Sequence, residues 1–246
     1  MKALITSLAV SALFVAGCGD SSSSKSKSES KSDGGASSSK SGGAGKSPDE
    51  SAFSIKYATD DGGTFIFTKN ANGSQKRMDR IDSDGWHDVT VWDRNGGANK
   101  KGVVYVYEDG EWTDVPREDA DGNVSMHAIR CEQTLNNAYS EVKDLTAYYT
   151  NEKIGFAKRA GQTVAGKSCD VYAGVYPDGM SLPRYSALYF KGSEEEIAVW
   201  NGLTMRLRYT RGADSKTVTT PLEAQAVTFS VPDSAFTKTL ETSWIK

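Results

Sequence analysis

The sequence predicts an α+β domain, mainly β, and three observations carry that prediction. Short runs of alternating apolar and polar residues recur at a spacing of about 10 to 20 residues, divided by Gly, Asn and Asp turn signals. This meander is interrupted once, between Ser125 and Tyr149, where apolar residues fall at helical steps. Strands then resume. The order meander, helices, meander implies an antiparallel sheet with one or two short helices packed on one of its faces.

In chain order, Phe53-Ser54-Ile55-Lys56-Tyr57 alternates apolar with polar, and Asp60-Asp61-Gly62-Gly63 is a turn signal. Thr64 to Thr68 is the return strand, giving a hairpin over 52–69. Asn70-Ala71-Asn72-Gly73 turns into Gln75 to Ile81, and Asp82 to Gly85 into Trp86 to Trp92. Asn95-Gly96-Gly97 separates that strand from Val103 to Tyr107, and Asp109-Gly110 predicts a tight hairpin into Glu111-Trp112-Thr113. Ser125 is a helix N-cap candidate, followed by the apolar stripe Ala128, Cys131, Leu135, Ala138, Val142 and Leu145. Strands are expected at Phe156 to Arg159, from Thr163 into Tyr172, at Leu188-Tyr189-Phe190 and at Ile197 to Trp200. Asn201-Gly202 predicts a second tight hairpin. Met205-Arg206-Leu207-Arg208-Tyr209 alternates cleanly, and Ala224 to Val231 is the last strand, ended by Pro232.

Ahead of this domain lie two segments of another kind. Lys2 and the apolar run Ala3 to Val15 lead into Val15-Ala16-Gly17-Cys18. With Ala16 and Gly17 the stretch is about 15 residues, short of the ~20 that cross a bilayer, and small residues precede Cys18 as a cleavage site requires. Residues 1–17 therefore read as a secretory signal in preference to a transmembrane helix. The motif resembles the lipobox of bacterial lipoproteins. That resemblance implies cleavage before Cys18 and anchoring by acyl chains, palmitate among them, on Cys18 itself. Gly19 stands where some relatives carry an inner-membrane retention Asp, so the outer membrane is the expected location.

Residues 18–49 continue with Ser, Lys, Gly, Asp and Glu. Such a composition cannot bury enough apolar area to offset chain entropy, and it reads as a flexible tether spanning roughly 30 Å. Its lysines Lys25, Lys27, Lys31, Lys40 and Lys46 could meet anionic lipid, but Asp20, Glu29 and Asp33 dilute them, and a soluble spacer is the simpler reading. Residues 50–246 are one domain's worth of sequence. With a formal net charge of −3 and no dense basic stripe, nucleic acid is not an expected partner.

With Cys18 assigned to lipid, Cys131 and Cys169 remain. In an oxidising compartment such a pair is expected to form a disulfide, which would stabilise the domain by roughly 4 kcal/mol in the chain-entropy model. A metal or redox role has no CxxC motif to support it, and the only histidines are His87 and His127.

Two stretches carry a wider resemblance. Val164-Ala165-Gly166-Lys167-Ser168-Cys169-Asp170-Val171-Tyr172 is followed by a strand pair ending in Gly202-Leu203-Thr204-Met205-Arg206-Leu207. Glu223-Ala224 leads to Phe229-Ser230-Val231-Pro232-Asp233-Ser234-Ala235-Phe236. Together they are similar to the LolA/LolB-like group of bacterial envelope proteins. The resemblance implies a single antiparallel sheet curled as an incomplete barrel, with short helices on its concave face. It also implies an apolar cavity of the kind that receives lipoprotein acyl chains.

No GxSxG, HExxH or clustered metal-ligand spacing occurs, so no catalytic residue, metal or cofactor is assigned. Glu194-Glu195-Glu196 reads as a solvated loop. The acidic turns at Asp60 to Gly63 and Asp119 to Asn123 match no calcium loop. The expected function is therefore non-enzymatic: a monomeric, lipid-anchored module holding an acyl chain, a lipoprotein or another apolar ligand. The candidate cavity-wall residues are Phe53, Ile55, Phe65, Phe67, Val91, Met205, Leu207 and Phe229. Trp92 is opposite in parity to Val89 and Val91, so that strand has two apolar faces, one lining a ligand site or covered by helices. The alternative is a surface lipoprotein meeting polysaccharide or protein through exposed Trp and Tyr residues.

Overall fold

The computed structural model describes residues 47–143, 146, 157–175, 194–210 and 218–246. The expected signal, Cys18 and the expected tether up to Lys46 lie outside these residues. So do Leu145, Tyr149, Phe156 and the strand expected at Leu188-Tyr189-Phe190.

The described chain forms one antiparallel sheet of eleven strands. The first six are β1 (Phe53–Thr59), β2 (Thr64–Lys69), β3 (Gln75–Ile81), β4 (His87–Asp93), β5 (Val103–Glu108) and β6 (Glu111–Pro116). Helix α1 (Met126–Val142) follows. The last five are β7 (Ala157–Val164), β8 (Lys167–Val175), β9 (Glu194–Trp200), β10 (Leu203–Thr210) and β11 (Val218–Thr228). The spatial order is β6-β5-β4-β3-β2-β1-β11-β10-β9-β8-β7, so two meanders are joined where β1 pairs with β11, and the sheet does not close. The expected fold class is the one observed, with one α-helix among the described residues.

The predicted turns form for local reasons. Asn201 and Gly202 both take positive φ (49° and 75°), the pair of left-handed residues that a two-residue hairpin between right-twisted strands requires. Ser125 caps α1, its side chain accepting a hydrogen bond from the Ala128 amide at 3.3 Å. Alternation then sorts the side chains: Phe53, Ile55 and Tyr57 of β1 are buried on one face, with Phe65 and Phe67 of β2 and Met205 and Leu207 of β10 in the same cluster.

Curvature follows from lengths. Helix α1 has 17 residues, about 26 Å at 1.5 Å per residue. It touches β6 at one side and β10 at the other, seven strand spacings apart, which in a flat sheet would be roughly 34 Å. The sheet must bend around the helix for both contacts to exist. At the other margin, β7 comes within 8 Å of β11 although three strands lie between them. The helix thus sits in the concavity, burying Ala128, Leu135, Ala138 and Val142 against the inner face.

Helix α1 runs across the strands near one end of the sheet. Its start is tied to the end of β6 (Ser125 amide to Arg117 carbonyl, 2.8 Å), and Lys143, just past it, bridges to Leu203 at the start of β10. The two cysteines sit on different elements. Cys131 lies twelve residues before Lys143, about 18 Å along the axis. Cys169 is buried in β8, where it pairs with Gln162 of β7. Both are free thiols in this structure, so the expected bridge is not formed there. Burial pushes both thiols above their ordinary value, so both are poor nucleophiles.

The convex face has its own small core. Val89 and Val91 pack with Ala235 and Phe236, flanked by Tyr105, Tyr107, Trp112, Val231 and Trp244. The second apolar face of β4 is therefore covered by the C-terminal segment, with its 3-10 turn at Asp233–Phe236, and not by a helix. At the margin of this half, Gly102 has φ +107°, and a Cβ there would stand 2.4 Å from the Trp92 ring. Gly102→Ala is expected to lower stability by about 2–4 kcal/mol, from overpacking plus backbone strain, as read by denaturant unfolding.

Candidate functional site

Six of the eight predicted wall residues are brought together: Phe53, Ile55, Phe65, Phe67, Met205 and Leu207 line the concave face. They do not line an open cavity. All are at most 3 % exposed. Near α1 the space is filled by the chain itself: Tyr139 stacks on Phe67 (centroids 5.8 Å, 17°) and lies 6.3 Å from Phe53. Val91 is on the opposite face, because its parity differs from that of Trp92. Phe229 is 37 % exposed at the end of β11, 6.5 Å from Phe53 and 6.0 Å from Trp200.

Toward the far end of the strands, away from α1, the inner face remains apolar through Tyr57, Phe65, Leu207 and Leu222. Tyr57 stacks on Phe65 at 6.0 Å and donates its hydroxyl proton to the Thr204 carbonyl at 2.6 Å. Burial raises its pKa well above the ordinary tyrosine value.

The tryptophans do not form a row. Trp92 is in the concave core, Trp112 and Trp244 pack under the convex face, Trp200 is at the β9 end and Trp86 projects from the β3–β4 turn. A flat tryptophan platform for polysaccharide is therefore not what the described strands build. Glu194 to Glu196 also differ from expectation: they belong to β9, with Glu195 fully buried and Glu196 accepting from Arg206 at 2.7 Å. The acidic turns spend their carboxylates on their own backbone, Asp61 accepting from Gly63 and Asp119 from Asp121 and Asn123.

Two polar constellations were not foreseen. One clamps the chain where it enters the domain. Lys69 occupies the inward parity of β2, after Phe65 and Phe67, and is 3 % exposed. Its ammonium donates to the carbonyls of Pro48 (2.9 Å), Asp49 (3.1 Å), Ser51 (3.0 Å) and Ala71 (3.3 Å), sharing three protons among four acceptors. It also lies over the Tyr139 and Phe53 rings at 5.7 and 5.9 Å. Burial lowers its pKa, against the pull of Asp49. Asp49 accepts from Tyr139 and, at 2.9 Å, from Lys143. Pro48 packs so closely on Gly202 that a Cβ there would come within 2.8 Å. The readable signal was a lysine at an apolar parity position.

The hydrogen bond from Tyr139, then Lys143, holds the Asp49 carboxyl below the usual carboxylate value of 3.8. A depressed folded-state value means that this part of the clamp is in place above pH 3.8 and fades as the pH falls below it. Proteolysis at the 46–51 junction is expected to accelerate on acidification, and Asp49→Asn to be cut faster at neutral pH with a flatter pH profile.

The other constellation fastens the C-terminal segment. Arg77 and Asp79 of β3, both fully buried, pair through two bonds of 2.7 Å. Arg77 also donates to the Ala235 carbonyl (3.1 Å) and the Thr239 carbonyl (2.8 Å), and lies over the Trp244 ring at 5.1 Å. His87 Nε2 reaches Asp79 at 2.9 Å. Beside it, Pro232, Ser234, Thr237, Thr239, Glu241, Ser243 and Trp244 edge an open groove of about 560 Å³. No group of three His, Cys, Asp or Glu residues that could hold a metal occurs among the described residues.

No family model and no curated protein matches the chain. Among solved structures, it aligns over 78 % of its length with an uncharacterised conserved protein from Thermus thermophilus, covering 88 % of that chain at 8 % identity and a TM-score of 0.38. It aligns over 78 % with MucB, covering 58 % of that chain at 12 % identity and a TM-score of 0.34. With MucB in complex with MucA(peri) the figures are 75 %, 52 %, 12 % and 0.29. The chain thus spans little more than half the length of the MucB structures. At such scores the likeness assigns neither fold nor function.

Proposed function

We infer that this chain is a bacterial envelope lipoprotein, held to the outer membrane by acyl chains on Cys18. Its non-enzymatic body binds an acyl chain or another apolar group on the concave face. The observation that carries the binding half is the continuous apolar lining from Val115 on β6 to Val171 on β8, which α1 crosses only near one end. Tyr57, Phe65, Leu207 and Leu222, beyond that crossing, are the favoured contacts. These side chains are buried, so a ligand reaches them by displacing the chain's own cover. The driving force is burial of ligand surface at ~25 cal/mol per Å², less the cost of that displacement and of immobilising the ligand.

Two measurements test the two halves. Metabolic labelling with a radioactive fatty acid should mark the wild type and leave Cys18→Ala unmarked; equal labelling, or none, removes the anchor. Native mass spectrometry of protein purified from bacteria should find a co-purified lipid that Leu207→Arg loses. A bare protein mass, with no uptake of added fatty acid, overturns the ligand.

A further inference from the structure

Among the described residues, the turns at the two ends of the sheet differ in charge, and the chain enters the domain at only one of them. Strands of about seven residues separate the ends by roughly 23 Å, more than twice the screening length at physiological salt. At the end away from the tether, the described hairpin turns carry Asp60, Asp61, Asp82, Asp84 and Asp109 and no basic residue. At the tether end, the hairpin turns between β2 and β3, β4 and β5, β7 and β8, and β9 and β10 carry Arg94, Lys100 and Lys101 and no acid. Of the other acids there, Asp49 is paired with Lys143 at 2.9 Å and Asp93 accepts from Gln75 at 3.2 Å, while Glu118 takes Lys101, which leaves Arg94 and Lys100 as the unpaired turn cations among the described residues; Glu50 is exposed beside the clamp, and Asp119 and Asp121 sit on the β6–α1 connection at the margin of the sheet.

The tether end also carries an aromatic row that rises from the core to the surface. Phe53 is buried, Phe229 is exposed beside it, Trp200 follows, and Lys167 lies over the Trp200 ring at 5.0 Å. Aromatic rings flanked by lysine suit the boundary between headgroups and water. The Lys69 clamp holds the incoming chain at this same end, through Pro48, Asp49 and Ser51.

We propose that the domain docks on the surface of an anionic phospholipid bilayer by its tether end, with Trp200, Phe229 and Lys167 against the headgroups and the acidic turns directed away. The docking rests on the lipoprotein reading, since acylated Cys18 supplies the nearby membrane. It adds to that reading a fixed orientation, which turns the far end of the sheet toward the aqueous side.

Trp200 at one end and the 51 % exposed Trp86 at the other are built-in reporters. The full chain, recovered from bacterial membranes, is reconstituted into vesicles of phosphatidylcholine with or without phosphatidylglycerol, each holding a headgroup spin-labelled quencher. Tryptophan quenching should appear with phosphatidylglycerol, be largely lost in Trp200→Phe and persist in Trp86→Phe. Arg94→Gln and Lys100→Gln should each weaken the phosphatidylglycerol-dependent association about fivefold, and ~1 M salt should abolish it. Equal quenching in both vesicle types, or quenching that follows Trp86, overturns the docking while the anchor stands. A chain that floats with neither vesicle overturns the anchor and the docking together.

Discussion

Arg77→Met is expected to lower stability by about 3–5 kcal/mol, because it leaves the Asp79 carboxylate buried with only His87 beside it and strips two C-terminal carbonyls of their donor. The loss should be uneven. Residues 231–245 should gain amide exchange first, since their attachment to β3 passes through this guanidinium, whereas α1 and β1 should keep their protection until global unfolding. Arg77→Met combined with Asp79→Leu should recover much of the loss, because the unpaired charge is then gone too. Denaturant unfolding of the three variants measures this. An Arg77→Met variant as stable as the wild type would show that the pair contributes nothing to holding the C-terminal segment.

Phe67→Ala is expected to cost about 3–5 kcal/mol, and the size of that loss separates core from ligand wall. Phe67 is fully buried between Phe53 and the Tyr139 ring, so truncation leaves a cavity that its aromatic neighbours cannot refill without moving α1. A side chain that lined an open ligand site would lose far less, having fewer protein atoms to leave behind. Denaturant unfolding should therefore show a marked drop in midpoint with little change in slope. A cost below ~1 kcal/mol would mean that the space beside α1 is not packed in solution, and the ligand site would then extend under the helix.

Much of the architecture was legible because its causes are local. Strand alternation, the left-handed Asn201-Gly202 turn and the Ser125 cap each follow from a few adjacent residues, and each appears where the pattern places it. The candidate wall was legible in part. Six of its residues share the parity that the pleat turns inward, but Val91 has the other parity and Phe229 lies past the last strand. Alternation says that β4 has two apolar faces; it does not say that residues more than a hundred positions later cover one of them.

The sequence by itself determined the periods, the turns and the helix, since these depend on backbone preferences and side-chain spacing over a few residues. Only the tertiary structure decided what meets what. Bending the sheet around α1 brought Lys69 to the carbonyls of the entering chain, and Arg77 and Asp79 to the C-terminal segment. Those contacts depend on curvature and on strand pairings far apart in the chain, and no local pattern encodes either.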